Sequence, residues 1–459
     1  MVKMAKKAKT KKAKKYFIWV LGCQMNKSDG ERIDAVLSGI GYLKTAKESE
    51  ADLIVAVACS VRQSAIDRIY GKSRIWQKKR SKGELITILT GCVLDKDKNK
   101  LNNKFDLILS ILEINQLPSK LGGLKVIEVA DYFHLKPSPS SKFQAYVPIM
   151  TGCNNFCSYC VVPYVRGKEI SRPAEEIINE CRDLIKRGYK EITLLGQNVN
   201  SYQDPTPTLP LIQGEGELLP LVSRGSRARE AGERGSKIDF PKLLKEIDNI
   251  KGDYWLRFIT SHPKDLSDDL IKIMAKGKHI TPYLHLPIQS GDKDILKTMN
   301  RKYTPAHYLR LINKVKKNIP DVMISTDIIV GFPGETKKQF LNTIKIFKKI
   351  KFDMAYIAKY SPRSGTAAAE LKDNVPQSEK ARRWQELTEI LKKMALENNK
   401  KLMGKTVRVL VEQYKNNKCL DKTDTFKTVI FESNKNLIGQ FVKVKIEKVD
   451  SWGLYGKIN

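Results

Sequence analysis

The sequence lacks any run of apolar residues long enough to cross a lipid bilayer, so no transmembrane helix is predicted. Its first residues, MVKMAKKAKTKKAKK, also lack the apolar core of a secretory signal. Acidic residues are comparatively few, with 50 Asp and Glu against 83 Lys and Arg, and the formal net charge is +33. From these absences we expect a cytoplasmic protein.

The excess of positive charge favours a polyanionic partner, because contacts with phosphates release condensed counterions. The alternative is a lysine-rich surface that serves solubility alone, so charge supports nucleic acid binding without proving it. Residues 1–15 predict a disordered basic arm that adds non-specific affinity for RNA.

The length of 459 residues predicts two or three domains. In residues 16–135, three strand-like apolar runs are each followed by a helical pattern, which predicts a parallel sheet in an α/β domain. A cysteine follows each run, namely Cys23, Cys59 and Cys92. Because parallel strands end at the same edge of a sheet, we expect these three cysteines to gather there.

A second region, residues 140–400, follows the polar linker 136–142 and again alternates strands with helices. Six strand-like runs predict a full or partial (β/α) barrel with its chemistry at the carboxyl ends of the strands; they are 144–150, 191–196, 254–259, 283–288, 322–330 and 353–360. Residues 204–237, rich in Pro, Gly and Arg, predict a mobile surface insertion. Short alternating runs in 402–459 predict a small antiparallel β-barrel of a kind that often binds RNA.

The most specific local signal is the segment Cys153-Asn-Asn-Phe-Cys157-Ser-Tyr-Cys160. Three thiolates in one loop can bind three irons of a [4Fe–4S] cluster and leave the fourth iron free for a small ligand. Zinc is the alternative, although zinc sites usually pair two such loops and no fourth Cys or His lies close by. In a cytosolic protein, clustered cysteines indicate metal binding or catalysis more often than disulfides.

The order and length of several motifs carry a resemblance that covers nearly the whole chain outside the arm and the insertion. They are GCQMN (22–26), ACSVR (58–62), GCV (91–93), GCNNFCSYCVVPYVRGKEISRP (152–173), LLGQNVNSY (194–202), HLPIQSGD (285–292), MNRKYT (299–304), GFPGET (331–336) and YSPRSGT (360–366). Together they resemble the tRNA methylthiotransferases of the radical S-adenosylmethionine superfamily, particularly the branch that acts on N6-isopentenyladenosine beside the anticodon. The segment 402–459 resembles the TRAM domain of that family.

The resemblance implies two [4Fe–4S] clusters and S-adenosylmethionine as cofactors. Cys153, Cys157 and Cys160 would hold the radical-generating cluster, and Cys23, Cys59 and Cys92 the second cluster, which binds a sulfur species. One S-adenosylmethionine would methylate that sulfur, and reductive cleavage of another would generate a radical that attacks C2 of the adenine. The implied partners are the anticodon stem-loop of tRNA, a sulfur donor, and an electron donor such as a flavodoxin or ferredoxin.

Further site residues are predicted from the same motifs. Backbone groups of the glycine-rich turn and polar residues at other strand ends are expected to bind the cofactor; they are Gly331, Pro333, Gly334, Glu335, Gln289, Ser290 and Arg301. Arginine and aromatic side chains suit contacts with phosphates and unpaired bases, and the residues expected to bind RNA are Arg166, Arg172, Tyr360, Arg363 and Lys422. Helix caps and solvated loops are the structural alternatives for these two groups.

Two other functions remain open from the sequence. A sister enzyme that modifies threonylcarbamoyl-adenosine in tRNA shares all six cluster cysteines, although LLGQNVNSY favours the isopentenyl branch. A non-catalytic iron–sulfur protein that binds RNA or senses redox state would also carry them. The chain departs from the usual family pattern at Gly30, Asp292 and Lys422. Lysine cannot form the bidentate phosphate contact of arginine, so we expect Lys422 to affect the affinity for tRNA and not the chemistry.

Overall fold

The computed structural model describes residues 13–60, 63–122, 131–206 and 237–458. Residues 1–12 of the predicted basic arm and residues 207–236 of the predicted insertion lie outside the described residues. The chain forms three consecutive units, which are an α/β sheet domain, a curved (β/α) sheet and a small closed β-barrel. Within the described residues, no helix is long and apolar enough to cross a membrane.

The first unit is a five-stranded parallel sheet in the order β2-β1-β3-β4-β5. Its strands are β1 (Lys15–Val20), β2 (Leu43–Lys44), β3 (Leu53–Cys59), β4 (Ile86–Cys92) and β5 (Leu107–Ile108). Its helices are α1 (Gln24–Gly39), α2 (Gln63–Arg80), α3 (Asp95–Leu101) and α4 (Leu117–Lys120). Every residue of β3 is buried, because helices cover both faces of the sheet.

The second unit is a six-stranded partial barrel, as the sequence predicts. Its parallel strands are β6 (Gln144–Pro148), β9 (Glu191–Leu195), β10 (Trp255–Ile259), β11 (Tyr283–His285), β12 (Met323–Val330) and β13 (Met354–Lys359). A bridge between Leu256 and Ile280 joins the two halves of this sheet. A short antiparallel pair, β7 (Met150–Thr151) and β8 (Ile170–Ser171), brackets the Cys153–Cys160 loop.

The helices of this unit are α5 (Val162–Arg166), α6 (Ala174–Lys186), α7 (Phe240–Asp248), α8 (Asp268–Lys276), α9 (Lys293–Thr298), α10 (Pro305–Asn318), α11 (Lys337–Ile350) and α12 (Gln377–Lys400). Most of them cover the outer face of the partial barrel, whereas α5 lies against the first unit. The apolar stripe of α11 packs in the core through Phe340, Ile344 and Phe347. In α12, Trp384 is 41% exposed and its Nε1 donates to the Ile357 carbonyl.

The third unit is a closed barrel in the order β14-β15-β16-β18-β17. Its strands are β14 (Thr406–Lys415), β15 (Lys418–Thr423), β16 (Thr428–Glu432), β17 (Phe441–Val449) and β18 (Leu454–Ile458). The sequence predicts an antiparallel barrel, but one pair of strands, β16 and β18, is parallel. That parallel pair closes the barrel, which leaves no free strand edge.

The third unit packs against the amino ends of the partial-barrel strands, opposite the cysteine loop. Arg257 donates to the carbonyls of Thr423 and Asp424 at 2.8 and 2.6 Å. Phe426 stacks on Tyr283, the first residue of β11, with ring centroids 4.9 Å apart. The carboxyl ends of the strands are therefore left for the site.

Candidate active site

Cys23, Cys59 and Cys92 gather at one edge of the first sheet, as expected for parallel strands. Cys59 and Cys92 are the last residues of β3 and β4 and are direct partners in the strand register. Cys23 is the N-cap of α1, which follows the neighbouring strand β1. The sulfur groups are close enough to influence one another electrostatically, since both Cys59 and Cys23 help to raise the pKa of Cys92.

Two small local features hold this trio in place. Gly91 has a φ of +103°, and a Cβ there would lie 2.4 Å from the Ala58 carbonyl oxygen, so only glycine lets β4 approach β3 this closely. Asn26 ties α1 to the same strand, because its Nδ2 donates to the Ala58 carbonyl at 3.3 Å while its Oδ1 accepts from the Cys23 amide at 3.3 Å. Cys23 is thereby fixed relative to Cys59.

The second trio, Cys153, Cys157 and Cys160, lies on the loop that leaves β7 at the mouth of the partial barrel. Residues 298 and 299 anchor the loop through Ser158. The Ser158 amide donates to the Met299 carbonyl at 3.0 Å, and the Ser158 hydroxyl donates to the Thr298 carbonyl at 2.8 Å. Arg301 donates to the Cys157 sulfur at 3.4 Å and to the Pro287 carbonyl at 3.0 Å. Motif residues 299–301 thus shape the cysteine loop.

The donor sets fit the predicted iron–sulfur clusters. Each trio supplies three soft sulfur ligands, the number that leaves one iron of a [4Fe–4S] cluster free. In the described part of the chain, no three His, Cys, Asp or Glu side chains are arranged to hold a single metal ion. Burial raises the pKa of Cys92 and of Cys160 to about 12, so both are thiols until a metal takes the proton's place.

Arg166 joins the two trios. It ends α5, six residues after Cys160, and its Nε donates to the Cys92 sulfur at 2.9 Å. Its Nη2 also donates to Asp29 of α1 at 2.5 Å, and the other oxygen of that carboxylate accepts from Tyr132 at 2.6 Å. Six residues span at most about 21 Å even when extended, and most of these are helical, so the two trios lie close together at the junction of the two units.

A ring of buried polar atoms without hydrogen-bond partners lies at the carboxyl ends of the barrel strands. They are Thr151 Oγ1, Gln197 Oε1, Asn198 Oδ1, both side-chain polar atoms of Asn200, Ser261 Oγ and Gln289 Oε1. Buried polar groups are normally paired, so this ring fits a polar ligand such as S-adenosylmethionine. The sequence indicated only Gln289 among them, although the quoted motif LLGQNVNSY contains Gln197, Asn198 and Asn200.

A cavity of about 250 Å³ opens beside the Cys153–Cys160 loop. It is lined by Asn154, Asn155, Glu169, Asn198, Ser201, Lys264 and Lys302. His262, which follows β10, is buried, and burial lowers its pKa to about 2. His262 is therefore neutral, and its Nδ1 accepts from the Lys264 amide.

The predicted cofactor residues have mixed locations. Gly331 (φ +69°), Pro333 and Gly334 (φ +81°) form the turn after β12. Glu335 stabilises this turn, because its carboxylate accepts from the Gly331 amide at 2.7 Å and from Arg383 at 2.6 Å. Ser290 is buried against Thr343, whereas Gln289 and Arg301 face the ring and the cysteine loop respectively. The cofactor role of these residues stays a prediction.

The residues predicted to bind RNA are mostly engaged within the protein. Arg172 is paired with Glu176 and Glu180, and Tyr360 is buried with its hydroxyl donating to Ala368. Arg166 is buried beside Cys92. These positions favour structural contacts at Arg172, Tyr360 and Arg166 over direct contact with RNA.

The other two predicted RNA contacts are half-buried. Arg363 donates to Gln63 at 2.7 Å and lies near Cys59. Lys422 donates to Thr428 at 2.6 Å, where the third unit meets the amino ends of the barrel strands. That position is remote from the mouth. By contrast, Cys181 and Cys419 lie outside both trios and are buried core residues.

Three family models match the chain in consecutive segments. The Radical SAM superfamily matches residues 147–347, the uncharacterized protein family UPF0004 matches 15–112, and the TRAM domain matches 398–458. Among solved structures, the fold is similar to a radical S-adenosylmethionine methyltransferase, TsrM, from Kitasatospora setae, with a TM-score of 0.51 and 11% identity over 78% of this chain and 77% of that one. That likeness concerns the fold alone.

Curated relatives share much more of the sequence. A tRNA-2-methylthio-N(6)-dimethylallyladenosine synthase of Clostridium novyi (strain NT) is 43% identical over 415 residues, which cover 87% of this chain and 86% of the relative. A synthase with the same name from Caldicellulosiruptor saccharolyticus is 41% identical over 430 residues, 90% of this chain and 85% of the relative. With this identity over nearly its full length, the chain belongs to the tRNA-2-methylthio-N(6)-dimethylallyladenosine synthase family.

Proposed function

We propose that this protein attaches a methylthio group to C2 of N6-isopentenyladenosine next to the anticodon of tRNA, with S-adenosylmethionine and two [4Fe–4S] clusters as cofactors. The observation that carries the proposal is the junction at Arg166, where two cysteine trios from different domains approach one another. One trio suits the activation of the base and the other suits delivery of sulfur. Because the two trios meet at this junction, both can act on one substrate bound at the barrel mouth.

The residues that would hold the cofactors follow from the site. Cys153, Cys157 and Cys160 would bind the radical-generating cluster, and the three cysteines of the first sheet would bind the second. When bound, the cluster and S-adenosylmethionine supply the radical chemistry needed to functionalise an unactivated C–H bond, which acid–base catalysis cannot do.

The protein itself contributes position and environment. Arg301 holds the loop through Cys157 and Pro287, and it adds a buried positive charge next to thiolate ligands. The unpaired polar ring at the strand ends orients a polar ligand. His262 is neutral, so it acts as a hydrogen-bonding wall of the mouth and carries no charge.

The substrate must leave its stack to reach such a mouth. A base in an anticodon loop does so more easily than a paired one. The TRAM-like barrel and the net charge of +33 support binding of the surrounding stem-loop. The reaction also needs a sulfur donor and an electron donor such as a flavodoxin or ferredoxin, and we infer a cytoplasmic enzyme because its substrate is tRNA.

The test is anaerobic reconstitution of the full chain with iron and sulfide. Mössbauer spectroscopy should find two [4Fe–4S] clusters, and one should remain when Cys23, Cys59 and Cys92 are replaced by alanine. Isopentenylated tRNA should yield the methylthio nucleoside by mass analysis, and Cys157→Ala should abolish it. A matched Cys181→Ala variant should retain both clusters, because that cysteine lies in the hydrophobic core.

Two outcomes would contradict the proposal. Product from threonylcarbamoyl-adenosine and none from isopentenyladenosine would assign the protein to the sister activity. Two intact clusters without any cleavage of S-adenosylmethionine by the reduced protein would indicate an RNA-binding or redox-sensing role.

A further inference from the structure

Two exposed aromatic rings stand beside the loop that carries Cys153, Cys157 and Cys160. Phe156 is 50% exposed and Tyr164, on α5, is 55% exposed. Their ring centroids are 6.3 Å apart and the rings meet at 83°, edge to face. Large aromatic side chains are usually buried, so a pair in contact on the rim of a site needs an explanation.

The backbone of Phe156 is held in a conformation that a bulky residue rarely adopts. Its φ is +43°, in the left-handed region that favours glycine or asparagine. Asn300 fixes it there, because Asn300 Nδ2 donates to the Phe156 carbonyl at 2.8 Å. Strain of this kind persists where the surrounding structure enforces it, and it is concentrated at functional sites. The result is that the ring projects from the loop instead of packing beneath it.

The surroundings of the pair are polar and basic. Asn154 and Asn155, the two residues before Phe156, line the 250 Å³ cavity together with Lys264 and Lys302, and Glu169 is the one acidic residue of that lining. A protein partner would call for a broad apolar patch, whereas two rings beside lysines suit a ligand with a flat face and a phosphate. An unpaired nucleotide has both features.

We propose that Phe156 and Tyr164 form a stacking platform for an unpaired base of the anticodon loop adjacent to the modified adenosine, with Lys302 contacting its phosphate. The inference rests on the proposed function, since it assumes that tRNA enters this mouth. Stacking a neighbouring base holds the loop open and fixes the target base over the cluster. The platform accepts any base, because every base has a π face.

The experiment measures binding of an isopentenylated anticodon stem-loop RNA to the reconstituted, oxidised full chain by fluorescence anisotropy. Phe156→Leu and Tyr164→Leu keep apolar bulk but lose the ring, and each should weaken binding about five- to a hundred-fold. Phe156→Tyr keeps the ring and should bind like the wild type. Ile75→Ala, at a side chain 65% exposed on α2, is the matched surface control and should bind unchanged.

A second readout reports stacking itself. With 2-aminopurine next to the target adenosine, its fluorescence should be quenched by the wild type and less so by Phe156→Gly, which removes both the ring and the strained φ. Tyr164 lies outside the Cys153–Cys160 loop, so the iron content of Tyr164→Leu should match the wild type while the quenching is reduced.

The contrary results are distinct. Unchanged RNA binding by both leucine variants would overturn the platform, and slower reduction by flavodoxin in the same variants would assign the pair to an electron donor instead. If the wild type itself makes no methylthio nucleoside from isopentenylated tRNA, the proposed function fails and the platform fails with it. Wild-type turnover with unaffected variants would overturn the platform alone.

Discussion

Replacing Arg166 with methionine removes its charge while keeping much of its side-chain volume. Arg166 and Asp29 are 1% and 0% exposed, so neither charge can be hydrated once its partner is gone. Removing one member of a buried ion pair typically costs about 3–5 kcal/mol, because the remaining charge is left uncompensated. Asp29 would keep Tyr132 as its main donor, which offsets only part of that cost.

Hydrogen–deuterium exchange of the metal-free protein measures this loss of stability locally, at the strand that Arg166 contacts. Peptides from β4, which ends at Cys92, should show opening free energies about 3–5 kcal/mol lower in Arg166→Met. Arg187→Met, which breaks an exposed ion pair with Asp183 (52% and 63% exposed), should cost no more than about 1 kcal/mol. The double variant Asp29→Leu with Arg166→Met should be more stable than Arg166→Met alone. Additive losses, or a loss below about 1 kcal/mol in the single variant, would refute the reasoning.

Other residues allow equally direct predictions. Gly91→Ala should cost one of the two clusters by iron analysis, because its Cβ meets the Ala58 carbonyl, whereas Gly188→Ala, with a φ of +88° but open space, should keep both. Burial raises the pKa of Asp421 from 3.8 to about 7, so the folded state holds more protons than the unfolded chain between about pH 4 and 7. The free energy of unfolding should therefore fall by up to about 4 kcal/mol as pH rises through that window. Asp421→Asn should remove this slope in urea titrations and be more stable than the wild type at pH 8; an unchanged slope would contradict it.

The longer strands of the first two units could be predicted because their signal is local, whereas the two-residue strands β2, β5, β7 and β8 are too short to show a pattern and were not predicted. Continuous apolar runs such as those of β3 and β4 are typical of strands covered on both faces, and the structure buries them so. The gathering of Cys23, Cys59 and Cys92 followed from strand direction alone. The sequence places Cys59 and Cys92 just after their strands, whereas in the structure they are the last residues of β3 and β4.

The partners of the arginines could not be predicted, because they depend on contacts between distant segments. Arg166 and Asp29 are 137 residues apart in sequence, and nothing local in either motif indicates the other. The sequence therefore suggested RNA contacts for Arg166 and Arg172. In the structure, Arg166 pairs with Asp29 and Cys92, and Arg172 pairs with Glu176 and Glu180. The half-buried position of Lys422 could not be predicted for a similar reason, since the end of β15 that carries it packs against the partial barrel.

The buried pair of Arg166 and Asp29 gives a physical reason why the two cysteine trios keep a fixed position relative to each other. A well-packed apolar contact at this junction would be about as stable as a buried ion pair, so stability alone does not explain the pair. An ion pair with fixed hydrogen bonds, however, tolerates little sliding between α1 and α5, whereas apolar surfaces can repack in several ways. Arg166 also contacts Cys92, so a shift of the barrel relative to the sheet would disturb the second trio directly. The pair thus couples the distance between the two trios to the folding of both domains.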